Sequence, residues 1–244
     1  MESSAAAEPV RETPDIETSS EAYAGRFAGP VGTWFLELQA RTTLDLLTPW
    51  PGASVLDVGG GHGQVTGALL EAGHRVTVLG SDPSCGQRVR PLVDAGRIRF
   101  ASGDLLQAPY SEAAFDVVLA YRLLPHMVRW EALIAELCRL ARHAVVVDYP
   151  TRRSMNAIAE AFFGVKKGIE GNTRPFTVFR DARVESAFAT QGFRPTARRP
   201  QFLLPMALHR ALGNASLAKG IETLALGVGA TPRFGSPVIL RLQR

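Results

Sequence analysis

The chain has 244 residues, 46% of them hydrophobic and 20% charged, which suits one large α/β domain with a core that needs no staples. Its two cysteines, Cys85 and Cys138, stand in no metal or disulfide spacing. With no secretory leader and no apolar run long enough for a bilayer, they exclude a zinc framework, a disulfide scaffold and a membrane span, so a cytoplasmic location is expected. The net charge of +4 divides unevenly: residues 1–143 carry 12 Lys/Arg against 17 Asp/Glu, whereas residues 144–244 carry 15 against 6.

Residues 1–22 are rich in Ser, Ala, Glu and Pro and poor in apolar side chains. They are expected to be a disordered tail. From Val31 to Leu47 the apolar residues Val31, Trp34, Phe35 and Leu38 recur at helical spacing, and Trp50-Pro51-Gly52 ends that helix. A regular alternation follows. Short apolar strands are predicted at Ser54–Val58, Arg75–Leu79, Arg97–Phe100, Phe115–Ala120 and Ala144–Val147. Between them lie helical stretches from Val65 to Gly73, from Pro83 to Ala95 and from Trp130 to Arg142. Strands alternating with helices argue for βαβ units and a parallel sheet.

After Tyr149-Pro150 the rhythm changes. Residues 151–179 are basic, hold a predicted helix near Met155–Phe163, and read as an inserted lid that shapes a substrate site. Helices are expected at Arg180–Gln191 and Ala207–Leu226, with strands at Thr196–Leu204 and Pro237–Leu242. The division is thus a tail over 1–22 and one domain over 23–244.

The chemistry-bearing string is Val55-Leu56-Asp57-Val58-Gly59-Gly60-Gly61-His62-Gly63, which contains D-x-G-x-G-x-G between a strand and a helix. Glycines there permit a tight turn and close backbone approach to a ligand, at the carboxyl end of a strand where open parallel sheets bind. The acid before them suits a cationic ammonium group. A dinucleotide fingerprint would need a third glycine at position 64, which is Gln64, and no phosphate-cradling G-x-x-x-x-G-K-[ST] occurs. Asp82 follows the second strand and can accept from a ribose diol. Asp104 ends the third strand and could accept from an adenine amino group, with Leu105 against the ring. Taken alone, each is an ordinary turn or cap aspartate; three at the ends of successive strands form a pattern.

VLDVGGGHG, SDPS and SGDLLQAPYSEAAFDVVLAYRLLPHM together resemble the class I S-adenosylmethionine (SAM)-dependent methyltransferases, in particular the small-molecule branch with the ubiquinone and menaquinone biosynthesis enzymes. The resemblance covers roughly residues 50–150. It implies a Rossmann-like α/β fold with helices on both faces of a seven-stranded, mostly parallel sheet whose last strand is antiparallel. It implies SAM as cofactor, with Asp57, Gly59, Gly60, Gly61 and Gly63 at its methionine part, Asp82 at the ribose and Asp104 and Leu105 at the adenine. Tyr121, Arg122 and His126 follow the fourth strand, where the transferred methyl would lie. Tyr121 is a cofactor-contact candidate and His126 a candidate base, although a lone loop histidine is more often a surface or capping residue. Tyr23 and Arg26 are further candidates for contact with SAM. No metal site is expected. The expected partner is a small molecule rather than nucleic acid, since no [DN]-P-P-[YF] string or nucleic-acid module occurs. The basic C-terminal part allows peripheral contact with an anionic membrane, and Arg194, Arg198 and Arg199 beside the apolar run Phe202–Leu208 suggest an apolar acceptor with an anionic or phenolic group. The alternatives are an RNA methyltransferase and a SAM-binding protein without catalysis.

Overall fold

The computed structural model describes residues 11–154 and 175–244. Seven strands form one sheet in the order β3-β2-β1-β4-β5-β7-β6. They are β1 (Ser54–Val58), β2 (Arg75–Gly80), β3 (Arg99–Ser102), β4 (Phe115–Ala120), β5 (Ala141–Tyr149), β6 (Arg194–Phe202) and β7 (Ser236–Gln243). The first five run parallel, and β7 lies antiparallel between β5 and β6. The middle strands are near-continuous Val/Leu/Ala runs because they are covered on both faces. Leu56, Val118, Val145, Val147 and Leu240 point into one core, and Val55, Val117, Leu119, Val146 and Ile239 into the other.

The helices are α1 (Asp15–Thr18), α2 (Glu21–Ala24), α3 (Gly29–Leu47), α4 (Thr66–Glu71), α5 (Arg90–Asp94), α6 (Trp130–Leu140), α7 (Asp181–Ala189), α8 (Met206–Leu212), α9 (Ala215–Gly227) and α10 (Ala230–Phe234). On α6 the side chains Trp130, Leu133, Ile134, Leu137 and Leu140 are all buried, as their spacing requires. No helix among the described residues is long and apolar enough to cross a membrane.

Several boundaries differ from expectation for local reasons. The stretch from Pro83 to Ala95 is a 3₁₀ turn over Pro83–Gly86 followed by α5, not one helix. Pro91 sits in the first turn of α5, where its missing N–H costs nothing, so the helix begins there. The C-terminal helical stretch is split at Gly213, whose φ is +63°, and at Asn214, whose side chain accepts from Leu217 N at 3.0 Å.

The disordered tail expected over 1–22 is corrected for residues 11–22. Asp15, Thr18 and Ser19 are buried, and α1 and α2 pack over the carboxyl end of the sheet. Apolar burial is not what holds them. Glu12 accepts from Val128 N (2.6 Å), Arg129 N (3.1 Å) and Arg129 Nε (2.9 Å), and Asp15 accepts from Ser81 N (2.8 Å). Residues 1–10 of that tail lie outside the described residues, as do the helix expected near Met155–Phe163 and the lid cations Lys166, Lys167 and Arg174. The two ends of the expected lid are described: Thr151 bridges Phe179, and Thr177 N donates to Pro125 O at 2.8 Å.

Candidate functional site

The carboxyl ends of β1, β2, β4 and β5 converge where the strand order reverses on either side of β1, the usual ligand crevice of such sheets. After β1 the chain makes a tight turn. Gly59 and Gly63, both at φ +72°, flank a 3₁₀ turn over Gly60–His62. A side chain at Gly60 would collide with the Asp57 carboxyl, and one at Gly61 with the Cys85 carbonyl oxygen, so these two glycines are needed for space rather than for backbone angle.

Asp57 is buried under this turn. Burial pushes its pKa up to about 7, and its Oδ2 has no partner. Around it, Asp15 Oδ1, Ser19 Oγ, Ser81 Oγ and both His62 ring nitrogens are also buried without partners. Buried polar groups are otherwise nearly always satisfied. An acid with this cluster of donors and acceptors, beside a glycine turn that admits close approach, therefore fits the ammonium and carboxylate groups of an amino-acid-like ligand. His62 is packed edge-on by Tyr23 and Phe27, and burial, aided by the Arg122 and Arg88 cations, pulls its pKa down to about 4, so it is neutral.

The other predicted residues divide. Asp82 caps the turn after β2 by accepting from Ser84 N at 2.8 Å, and hydrogen bonds from Ser84 hold its carboxyl below the ordinary range. Asp104 accepts from Leu106 N at 2.9 Å. Both are partly accessible at strand ends and sit where the sequence placed them. Leu105, expected against the adenine ring, is completely buried in the core with Leu56 and Leu79. Tyr121 is buried and tied to α3, its hydroxyl 2.7 Å from Thr43 Oγ1, and burial drives its phenol far above the ordinary value. Tyr23 lines the cavity described next, whereas Arg26 lies over Tyr23 and pairs with Glu17 at 3.3 Å.

A cavity of about 200 Å³ adjoins this crevice. Phe35, Tyr149, Phe202, Met206 and Ile239 supply apolar wall, Gln39, Arg122, His126 and Asp148 the polar groups, and Phe176 from the end of the expected lid also faces it. His126 Nδ1 lies 3.0 Å from Pro175 O, with its ring 5.5 Å from Phe176. The arginines expected to meet an acceptor do not line the cavity. Arg198 is held by Asp181 Oδ2 and Pro232 O, both at 3.0 Å, and Arg199 by Asp45 at 3.2 Å. Of β6 only its end, Gln201 and Phe202, reaches the cavity, and both arginines lie further back along the strand.

The sequence reading had passed over Asp148. It is buried near the carboxyl end of β5, and its Oδ1 accepts from Arg122 N at 2.6 Å. Burial lifts its pKa to about 6 against the opposing pull of that hydrogen bond and of the Arg122 charge. Arg122 takes the left-handed conformation (φ +55°), uncommon for a side-chain-bearing residue. Its guanidinium reaches Gln39 Oε1 at 3.1 Å and lies 4.1 Å from the Phe27 ring centroid. The available signal was an acid interrupting the apolar run Ala144-Val145-Val146-Val147 at a strand end. For Asp15 and Glu12 no signal existed. Among the described residues no His/Cys/Asp/Glu group could hold a metal ion.

Comparison with known proteins agrees with this geometry. Residues 55–144 match the family described as methyltransferase domain. An O-methyltransferase of Pyrenophora dematioidea is 32% identical over 111 residues, 42% of this chain and 41% of the relative. A demethylmenaquinone methyltransferase of Beutenbergia cavernae is 30% identical over 117 residues, 47% of this chain and 48% of the relative. The match thus spans under half the length of each relative. Among solved structures, magnesium protoporphyrin IX methyltransferase from Synechocystis PCC 6803, with SAH bound, superposes with a TM-score of 0.65 at 16% identity, covering 94% of this chain and 97% of that one. Residues 55–144 are thus similar to a methyltransferase domain, and the fold is one that a solved methyltransferase shares.

Proposed function

We propose that this protein transfers a methyl group from SAM to an apolar small molecule held in the cavity beside the glycine turn. The observation that carries the reading is the buried Asp57 carboxyl, its Oδ2 without a partner, beneath a turn whose glycines a side chain would obstruct. Asp57 and the backbone of Gly59–Gly63 would hold the methionine part, Asp82 the ribose and Asp104 the adenine. Bound there, SAM supplies a methyl already activated by a sulfonium. The chain's own work is then mainly alignment and exclusion of water. Residues Glu12–Ser19 bridge from the loop after β4 to the loop after β2 and cover the crevice. Phe35, Tyr149 and Phe202 present an apolar face to the acceptor. Relatives named as methyltransferases support the reaction class, and the largely apolar wall supports an apolar acceptor.

Calorimetry on the purified protein tests this directly. SAM and its demethylated product should bind in the micromolar range and NAD should not. Binding of NAD with none of SAM would refute the reading.

A further inference from the structure

Asp148 is an acid that the cofactor crevice does not use. It faces the cavity from β5, beyond Tyr121 and Arg122, while Asp57 serves the glycine turn. Tyr121 feels the charge of both acids, so the two sites adjoin across that ring. The groups facing Asp148 are Arg122 and His126 from the segment after β4, Tyr121 at the end of β4, Tyr23 from α2 and Tyr149 beside it in β5. From α3 the facing polar group is the neutral Gln39, and from β7 the paired residue is Ile239. Asp148 is thus the sole carboxylate lining the cavity among the described residues.

An acid in an apolar cavity is awkward unless it has a proton to exchange. Removing Asp148 would be simpler for stability, since Arg122 N could be satisfied by a neutral acceptor. A neutral amine carries a free electron pair and does not need such a group at the moment of transfer, whereas a hydroxyl must lose its proton to become an effective nucleophile. The cavity also limits what the hydroxyl is attached to: its wall is largely aromatic and aliphatic, and the guanidinium of its lining arginine, Arg122, bonds the neutral Gln39 through Nη2.

We propose that Asp148 is a catalytic residue that accepts the proton of a phenolic or enolic hydroxyl on an apolar acceptor, making the protein an O-methyltransferase. This rests on the SAM-dependent reading above. In the step the acceptor O–H bond breaks and its proton passes to the Asp148 carboxylate. The oxygen electron pair forms the bond to the methyl carbon, and the carbon–sulfur bond breaks with its electrons left on sulfur, so the sulfonium becomes a neutral thioether. Arg122, bonded to Asp148 through its backbone N–H, positions the carboxylate and supports its charged form until the proton arrives.

The test uses the full chain, labelled SAM, and a panel of hydroxyl probes running from 4-nitrophenol, largely ionised at mildly alkaline pH, to phenol and 1-naphthol, which stay protonated. In wild-type protein kcat/KM for the protonated probes should rise with pH through an apparent pKa near 6 and then level off. Asp148→Asn keeps an oxygen to accept from Arg122 N and should fold. It should lower kcat for phenol and 1-naphthol by about 100-fold or more and for 4-nitrophenol by less than about threefold, and remove the rise near pH 6. Asp148→Glu should restore part of the lost rate. SAM affinity should be unchanged in both variants. Equal loss on ionised and protonated probes would make Asp148 a structural residue and overturn the proposal. So would a wild-type protein that binds SAM yet methylates no hydroxyl in the panel. Failure to bind SAM at all would instead overturn the reading on which the proposal rests.

Discussion

Asp57 shows how burial acts in opposite senses on a free and a liganded site. In the free protein its pKa is about 7, against 3.8 for an ordinary aspartate, because of burial. Between those values the folded chain holds a proton that the unfolded chain has released, so this group's contribution to stability falls as pH rises from about 4 to about 7. The full shift corresponds to at most about 4 kcal/mol at about 1.4 kcal/mol per unit. Asp57→Asn should therefore raise the melting temperature of the free protein at pH 8, by about 5 °C if half of that is realised. A cation against the carboxylate favours the ionised form, so SAM binding near pH 6 should release on the order of one proton. Calorimetry in two buffers of different ionisation enthalpy reads this number, and Asp57→Asn should abolish it while weakening SAM by about 1.5–3 kcal/mol. No proton release in the wild type would show that Asp57 does not meet the cation. At this scale Asp57 was legible because an acid before a glycine string has few other uses. Asp148 was not, because its character depends on Arg122 and Gln39, which lie 26 and 109 positions away and meet it only through the sheet and α3.

Among the elements, the N-terminal strap was misread. Composition measures how much apolar surface a segment can bury, and residues 11–22 have little of it. What anchors them is carboxylates accepting from backbone N–H groups at strand and helix ends, a charge-assisted bond worth about 1.5–3 kcal/mol. That mode leaves no periodic trace in a sequence. It also makes the strap separable from the core. The double variant Glu12→Ala/Asp15→Ala should keep the far-ultraviolet dichroism of the wild type yet release SAM at least tenfold faster in a stopped-flow chase, because both carboxylate anchors of the strap are gone. An unchanged release rate would mean the strap does not hold the ligand in. The strands β1, β2 and β4 and the start of α6, by contrast, were legible almost to the residue, since burial on both faces or on one helical stripe writes a strong pattern, whereas β5 runs beyond its expected apolar stretch at both ends. The β6 strand was placed within two residues, but the roles of Arg198 and Arg199 were not, because their partners Asp181 and Asp45 come from elements packed beside it.

Over the whole molecule, the uneven charge turns out to be partly internal. Several cations of the basic C-terminal part pair with acids of the acidic N-terminal part: Arg199 with Asp45, Arg183 with Glu131 and Arg244 with Glu112. Exposed pairs like these add little stability, typically under about 1 kcal/mol each. They do neutralise part of the field that the sequence suggested for an outside partner.

The strand that closes the sheet comes last in the chain and sits inside it. With β5 on one side and β6 on the other, β7 is interior, and Val238, Ile239, Leu240 and Leu242 are fully buried. Burying four such side chains is worth about 6–12 kcal/mol at about 1.5–3 kcal/mol each, comparable with the entire stability of a typical domain, about 5–15 kcal/mol. The edge strand β6 reaches the sheet only through β7, and β6 carries Gln201 and Phe202 to the cavity. Removing β7 should therefore collapse the molecule rather than trim it, in contrast to loss of the strap anchors. Ending the chain at Gly235 should give protein with no cooperative thermal transition and no SAM binding. Within the full chain, Leu240→Ala opens a cavity between Val147 and Arg198, its partners in the neighbouring strands, and should cost about 2–5 kcal/mol. Urea denaturation measures that loss as a fall in midpoint at constant slope. A truncated chain that still melts cooperatively and binds SAM would show that β1 to β5 with their helices are a sufficient core, and that β7 only attaches the acceptor wall.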